Sequence, residues 1–180
     1  MSEFIDIDPM KFNQSAFKLF NFDWTAITAE KPDGSINTMT ASWGGLGIMW
    51  NKNVAFVVIR PQRFTKEFVD ASSTLSLSFL NPLERQTMLY FGTFSGRNDD
   101  KIKRSGLTLT HIDGTPCFEE AEITLICEKL SAQEIDPASF IDPTIDDEQY
   151  PKKDYHTMYI CEVKKILVKK GTQIAEDCTK

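Results

Sequence analysis

Asn37-Thr38-Met39-Thr40-Ala41-Ser42-Trp43-Gly44-Gly45 is the stretch that decides how this chain reads. It is a run of small and hydroxyl-bearing residues ending in an aromatic and two glycines. Small side chains leave backbone N–H and C=O groups open to approach. Thr38, Thr40 and Ser42 add short donors and acceptors. Such a surface suits a flat, polar-edged ligand better than a packed core. Threonine also favours a pleated backbone, so Ile36 to Trp43 equally reads as an ordinary strand.

Working outward, Trp24 to Ala29 alternates and is rich in threonine and isoleucine, which predicts a strand. Lys31-Pro32-Asp33-Gly34 is a turn signal, so the two strands form a hairpin. Val54 to Ile59 is a continuous apolar run, as expected of a strand buried on both faces. Thr65 to Ala71 predicts a short helix with Thr65 as N-cap. Leu75 to Phe79 predicts a strand, and Pro82 to Phe91 a helix opened by proline. Asp99 to Ser105 predicts a third helix, capped by Asn98 or Asp99 and stopped by Gly106. Later strands are expected over Leu107 to Ile112, Ala121 to Leu130 and Thr157 to Lys169. In the second of these, Ile123, Leu125 and Cys127 share one face. Asp136 to Asp154 reads as an acidic surface loop. It lacks the spacing and central glycine of a calcium loop. Many strands with a few short helices predict a mainly β protein, a β-barrel with helical crossovers. No G-x-G-x-x-G follows a strand, which disfavours a dinucleotide-binding α/β domain.

Composition narrows the function. The chain has 180 residues, a length expected of a single domain, 1–180. A net charge of −6 argues against nucleic acid and against an anionic membrane surface. No run of apolar residues is long enough to span a bilayer, and the acidic start lacks the pattern of a signal peptide. Cys117, Cys127, Cys161 and Cys178 form no C-x-x-C pair, so reduced thiols in a cytoplasm are expected. With His111 and His156 as its histidines, the chain has no histidine-rich metal site. Trp43 and Trp50, on residue type alone, weigh towards core aromatics.

Two basic segments follow the opening stretch: Arg60-Pro61-Gln62-Arg63-Phe64-Thr65, and Ser95-Gly96-Arg97 with Lys101. A flat polar surface near cations points to a planar heterocycle carrying a phosphate, a nucleotide-like cofactor.

Taken in order, these segments, then Gly106-Leu107-Thr108, Glu119-Glu120-Ala121 and Asp154-Tyr155-His156-Thr157-Met158-Tyr159, resemble the flavin reductase-like proteins. The resemblance runs from about Phe20 to Lys170. It implies the FMN-binding split β-barrel, an antiparallel Greek-key fold with short flanking helices. It also implies a homodimer with FMN near the subunit interface. On that resemblance Arg63, Arg97 and Lys101 are phosphate ligands, helped by the Thr65 and Ser95 hydroxyls, with Lys101 at a helix start. Met39, Trp43 and Phe64 form a platform for the ring. The Thr38, Thr40, Ala41 and Ser42 backbone meets its edge. Arg60, Pro61 and Gly96 belong to the matching segments. His156 takes a supporting place beside flavin or nicotinamide. Cys161 stands where relatives more often have glycine, and there it would narrow the nicotinamide side. Phe64 stands where many relatives have tyrosine.

The activity so implied is NAD(P)H:flavin oxidoreductase, passing electrons from NADH or NADPH to free flavin, an iron complex or a partner protein. An FMN electron carrier fed by a redox partner protein, and a barrel binding pyridoxal phosphate or haem, are the alternatives.

Overall fold

The computed structural model describes residues 4–172. Strands β1 (Phe4–Ile7), β2 (Thr25–Glu30) and β3 (Ile36–Ala41) come first. β2 and β3 form the expected hairpin, with Gly34 at φ 81° and Asp33 Oδ1 accepting from the Ser35 N–H at 2.9 Å. β4 (Gly44–Met49) and β5 (Lys52–Ile59) form a second hairpin. Its turn residues Trp50 and Asn51 have φ 51° and 57°, the handedness that matches strand twist. β4 was not expected, because three of its six residues are glycine, which weakens the strand signal. Gly44 and Gly45 are required there: a Cβ on Gly44 would lie 2.5 Å from the Phe20 ring, and one on Gly45 2.6 Å from the Phe56 ring.

The main sheet runs β3-β2-β6-β9-β10-β5-β4, with β6 (Thr74–Phe79), β9 (Ile123–Glu134) and β10 (Thr157–Lys169), and all its pairings are antiparallel. β10 is long enough to pair with β5 at its start and β1 at its end. The two ends of this path, β3 and β4, are joined by Ser42 and Trp43 alone. Three virtual bonds span at most about 11 Å. The sheet therefore curls until its edges nearly meet, giving a barrel split at Ser42-Trp43. Ile27, Met39, Val57, Leu77, Leu125 and Tyr159 fill its interior.

A second ribbon, β7 (Leu109–Ile112) and β8 (Thr115–Phe118), lies outside, turning at Asp113-Gly114. It begins two residues after the expected strand and covers a hydroxyl-lined sheet face; Ser76 Oγ donates to the Pro116 carbonyl at 2.6 Å. The helices are α1 (Ala16–Lys18), α2 (Phe64–Ala71), α3 (Arg85–Thr93), α4 (Lys101–Ser105) and α5 (Thr144–Gln149).

Four expectations need correction. α2 has Arg63, not Thr65, at its N-cap; Thr65 is buried inside the helix and its hydroxyl accepts from Asn37 Nδ2 at 2.9 Å. α4 is capped by Asp100, because the Asp99 carboxylate is already taken by Tyr90 and Arg104. β5 is not buried on both faces: Phe56 is 37% exposed, since among the described residues no element covers it on the outside of the β4–β5 hairpin. Trp43 and Trp50 are exposed, not core. The acidic excursion is ordered by a short turn of helix at Pro137–Ser139 and by α5. Cys117, Cys127 and Cys161 are buried free thiols, and Cys178 lies outside the described residues. Among the described residues no helix is long and apolar enough to cross a membrane.

Candidate functional site

A cleft opens at the split. Its wide end, about 360 Å³, is walled by Met39 to Trp43 on one side, by Val58 and Arg60 from the end of β5, and by Gln62, Arg63 and His156. Alternation along β3 assigns the roles. Met39 and Ala41 point into the barrel, and Thr40 points out, donating to the Met88 carbonyl. Ser42 and Trp43 belong to no strand, so their backbone groups are outside the ladder.

The cleft continues past Met39, Gln62 and Arg63 into a narrow end of about 120 Å³. Phe64 and Thr65 from α2 meet Thr93 to Gly96 and Lys101 there. Lys101 is 3% exposed and donates to the carbonyls of Phe91 (2.9 Å) and Phe94 (3.2 Å). Burial, and then Arg63, push its pKa down to about 8, against the pull of Asp99. Arg63 donates to the Gly92 carbonyl at 2.6 Å, and its pKa is lowered by burial and by Arg60. Neither cation bonds a carboxylate among the described residues. Two desolvated cations thus face one small cavity with carbonyl oxygens, and no carboxylate, as their bonded partners among the described residues. The α4 N-terminus adds little to it, since Asp100 already accepts from the Lys103 N–H. A Cβ on Gly96 would sit 2.3 Å from Asn37 Oδ1, so glycine lets this loop close on β3.

Arg60 is committed elsewhere. It donates to Asp154 (2.7 Å) and to the Gln149 carbonyl (2.8 Å), and it lies over the Tyr150 ring at 5.2 Å. Gln62 donates to the other Asp154 oxygen at 2.6 Å. Arg60 and then Gln62 hold the Asp154 carboxyl below its ordinary range. His156 is 8% exposed, lies 5.0 Å from the Trp43 ring, and bonds the Tyr150 hydroxyl through Nδ1 at 2.9 Å. Burial, followed by Arg60, lowers its pKa to about 4, so the ring is neutral at pH 7.

The fold thus gathers Met39, Thr40, Ala41, Ser42, Trp43, Arg60, Arg63 and His156 at the wide end. It gathers Phe64, Thr65, Ser95, Gly96 and Lys101 at the narrow end. It does not bring in Thr38, whose hydroxyl bonds Thr28 and Ile27 inside the sheet layers, nor Pro61. Arg97 lies across Phe64 in a neighbouring cavity that it shares with Gly96 and Lys101, paired with Glu67 and donating to the Gln62 carbonyl at 3.2 Å. Cys161 faces the core and does not line the cleft, which removes the expected narrowing. Sequence reasoning missed Val58, Gln62, Thr93 and Phe94. Gln62 was signalled by the two arginines around it, and Thr93 and Phe94 by their place just before Ser95.

The structure is similar to an FMN-binding domain of a flavin reductases-like enzyme from Shewanella baltica OS155, with TM-score 0.66, 20% identity, and 92% of this chain and 77% of that one covered. It is similar to flavoredoxin of Desulfovibrio vulgaris (Miyazaki F), with TM-score 0.64, 19% identity, and 82% and 69% covered. It is also similar to the styrene monooxygenase flavin reductase from Pseudomonas putida S12, with TM-score 0.62, 17% identity, and 83% and 80% covered. At these identities the likeness is one of fold. No curated protein sequence matches the chain. The model of the flavin reductase like domain matches residues 19–176, nearly the whole length. A split barrel with its cleft at the seam, matched over that span, belongs to the flavin reductase like family.

Proposed function

We propose that the protein binds FMN along the seam cleft and acts as an FMN-dependent oxidoreductase, with NADH or NADPH as donor. The observation that carries this reading is the narrow end: Arg63 and Lys101 meet there, both desolvated and neither bonded to a carboxylate. A phosphate dianion answers that arrangement. The wide end offers what an isoalloxazine needs, a flat wall with free backbone groups at Ser42 and Trp43 and a neutral imidazole opposite. The residues fit the cofactor.

In this reading Arg63 and Lys101 bind the phosphate, with the Thr65 and Ser95 hydroxyls beside them. Met39, Phe64 and Trp43 exclude water from the ring, and the 40–43 backbone bonds its polar edge. Bound FMN would supply hydride and electron transfer between a nicotinamide donor and an acceptor. His156 keeps the donor side neutral. Such a reaction needs position and electrostatics from the protein and no protein nucleophile.

The uncovered edge supports a homodimer. Among the described residues β4 pairs with β5 alone, and Phe56, Met49 (41% exposed) and Trp50 (58%) make an apolar outer surface near Trp43. Monomers rarely leave such a patch on an open strand. The three buried thiols fit a reducing compartment, the cytoplasm.

An anaerobic visible spectrum, before and after NADH or NADPH, tests the function. A flavin spectrum that bleaches is the expected result. A flavin that stays oxidised with both nucleotides makes the protein an electron carrier fed by a partner protein. No flavin after reconstitution with FMN overturns the ligand.

A further inference from the structure

The 136–154 excursion enters the site through one phenol. Tyr150, at the C-terminal end of α5, is buried, and its hydroxyl oxygen lies 2.9 Å from His156 Nδ1. Its ring is clamped: it stacks on Phe140 at 5.9 Å, meets Tyr155 at 5.0 Å, and carries Arg60 at 5.2 Å on the cleft side. It also stands edge-on to the His156 ring at 5.5 Å. Burial raises the Tyr150 pKa, against the pull of Arg60, so the phenol keeps its proton at neutral pH. A buried hydroxyl needs an acceptor for that proton, and among the described residues the one within hydrogen-bond distance is the His156 Nδ1 lone pair.

We infer that Tyr150 is a positioning residue that fixes His156 as the tautomer with Nδ1 accepting and Nε2 carrying the proton. The ring holds one proton at neutral pH, because burial and Arg60 disfavour the cation. Nδ1 is engaged by Tyr150, and among the described residues no protein group takes Nε2. The imidazole lines the cleft against Trp43. It therefore offers a ligand one neutral N–H donor of fixed direction, which suits a carbonyl oxygen on a planar compound. Resting on the functional reading above, that oxygen is the carboxamide of the nicotinamide.

The test is long-range ¹H–¹⁵N NMR of histidine-labelled protein at neutral pH, on wild type and Tyr150→Phe. His111→Asn identifies the exposed second histidine. Phenylalanine keeps the aromatic clamp and removes only the hydroxyl. The expected wild-type result is His156 protonated at Nε2, and the variant is expected to show a mixture of tautomers. Flavin reduction by the nicotinamide should slow roughly fivefold in the variant, the effect of about one lost hydrogen bond, with FMN retained. Wild-type His156 protonated at Nδ1 overturns the inference. So does a variant with the wild-type tautomer. A protein that takes up no FMN sinks the functional reading, and the tautomer result still decides the role of Tyr150.

Discussion

The Arg60 guanidinium lies 2.7 Å from the Asp154 carboxylate, a contact between residues 94 apart in the chain. It ties the end of β5 to the end of the acidic excursion, at the mouth of the cleft. An arginine that sequence order places among the cofactor ligands is therefore a latch, while Arg63 lines the narrow cavity together with Lys101.

Asp154→Ala should release the excursion and leave the barrel intact. Hydrogen exchange across 136–154 is expected to speed up, with exchange in β9 and β10 unchanged. Acid should do the same to the wild type. The Asp154 carboxyl sits below its ordinary 3.8. Its anchoring is fully present above that value and is lost as pH falls through the lowered one. Equal protection in wild type and variant would show that the latch holds nothing.

Arg63→Ala and Arg97→Ala should separate the two arginines. Arg63 lines the narrow cavity and Arg97 is paired with Glu67 on the other side of Phe64. Losing a charge-assisted bond to phosphate costs about 1.5–3 kcal/mol. Titration with FMN should therefore show Arg63→Ala weakened roughly ten- to hundredfold and Arg97→Ala within about twofold of wild type. The reverse ranking would move the phosphate to the Arg97 side.

Lys101 gives opposite pH signs to stability and to binding. Below about pH 8 the folded, ligand-free chain holds a buried ammonium at a cost. Between about 8 and the ordinary 10.5 the folded chain has shed that proton and the unfolded chain has not. Stability should rise with pH across that window. FMN affinity should fall as pH passes 8, because the phosphate loses one cation. Urea unfolding and flavin titration on either side of pH 8 read both slopes, and parallel slopes would place Lys101 outside the site.

Gly96→Ala should damage the narrow end through sterics alone. The new Cβ meets Asn37 Oδ1, and Asn37 is held by Thr65. Displacing it costs about 1–3 kcal/mol and should loosen FMN as well. Unchanged urea stability and flavin affinity would mean the loop moves freely.

Thr124→Val should be neutral or stabilising by up to ~1 kcal/mol in urea unfolding, since among the described residues no protein group bonds the buried Thr124 hydroxyl. A loss above that size would reveal a partner for it.

The hairpin at Lys31-Pro32-Asp33-Gly34 was legible because proline and glycine act within four residues. The ends of the cleft were legible because small residues and cations are unusual in such runs. β4 was hidden by its glycines, which are there for the rings of Phe20 and Phe56, partners that no local pattern names. Thr65 looked like a cap by type, yet Asn37, distant in sequence, claims its hydroxyl. Tyr150 was invisible for a related reason: its meaning lies in an excursion whose composition reads only as acidic surface.

Ser42 and Trp43 join the two edges of the sheet and carry no rung of its ladder. Their side chains are exposed and wall the wide end. Substitution there can reshape the cleft wall without altering a single strand pairing. The positions free of ladder bonds face the cleft, and directly beside them stands Gly44, which has no room for a Cβ, so the barrel can change its cleft without changing its frame.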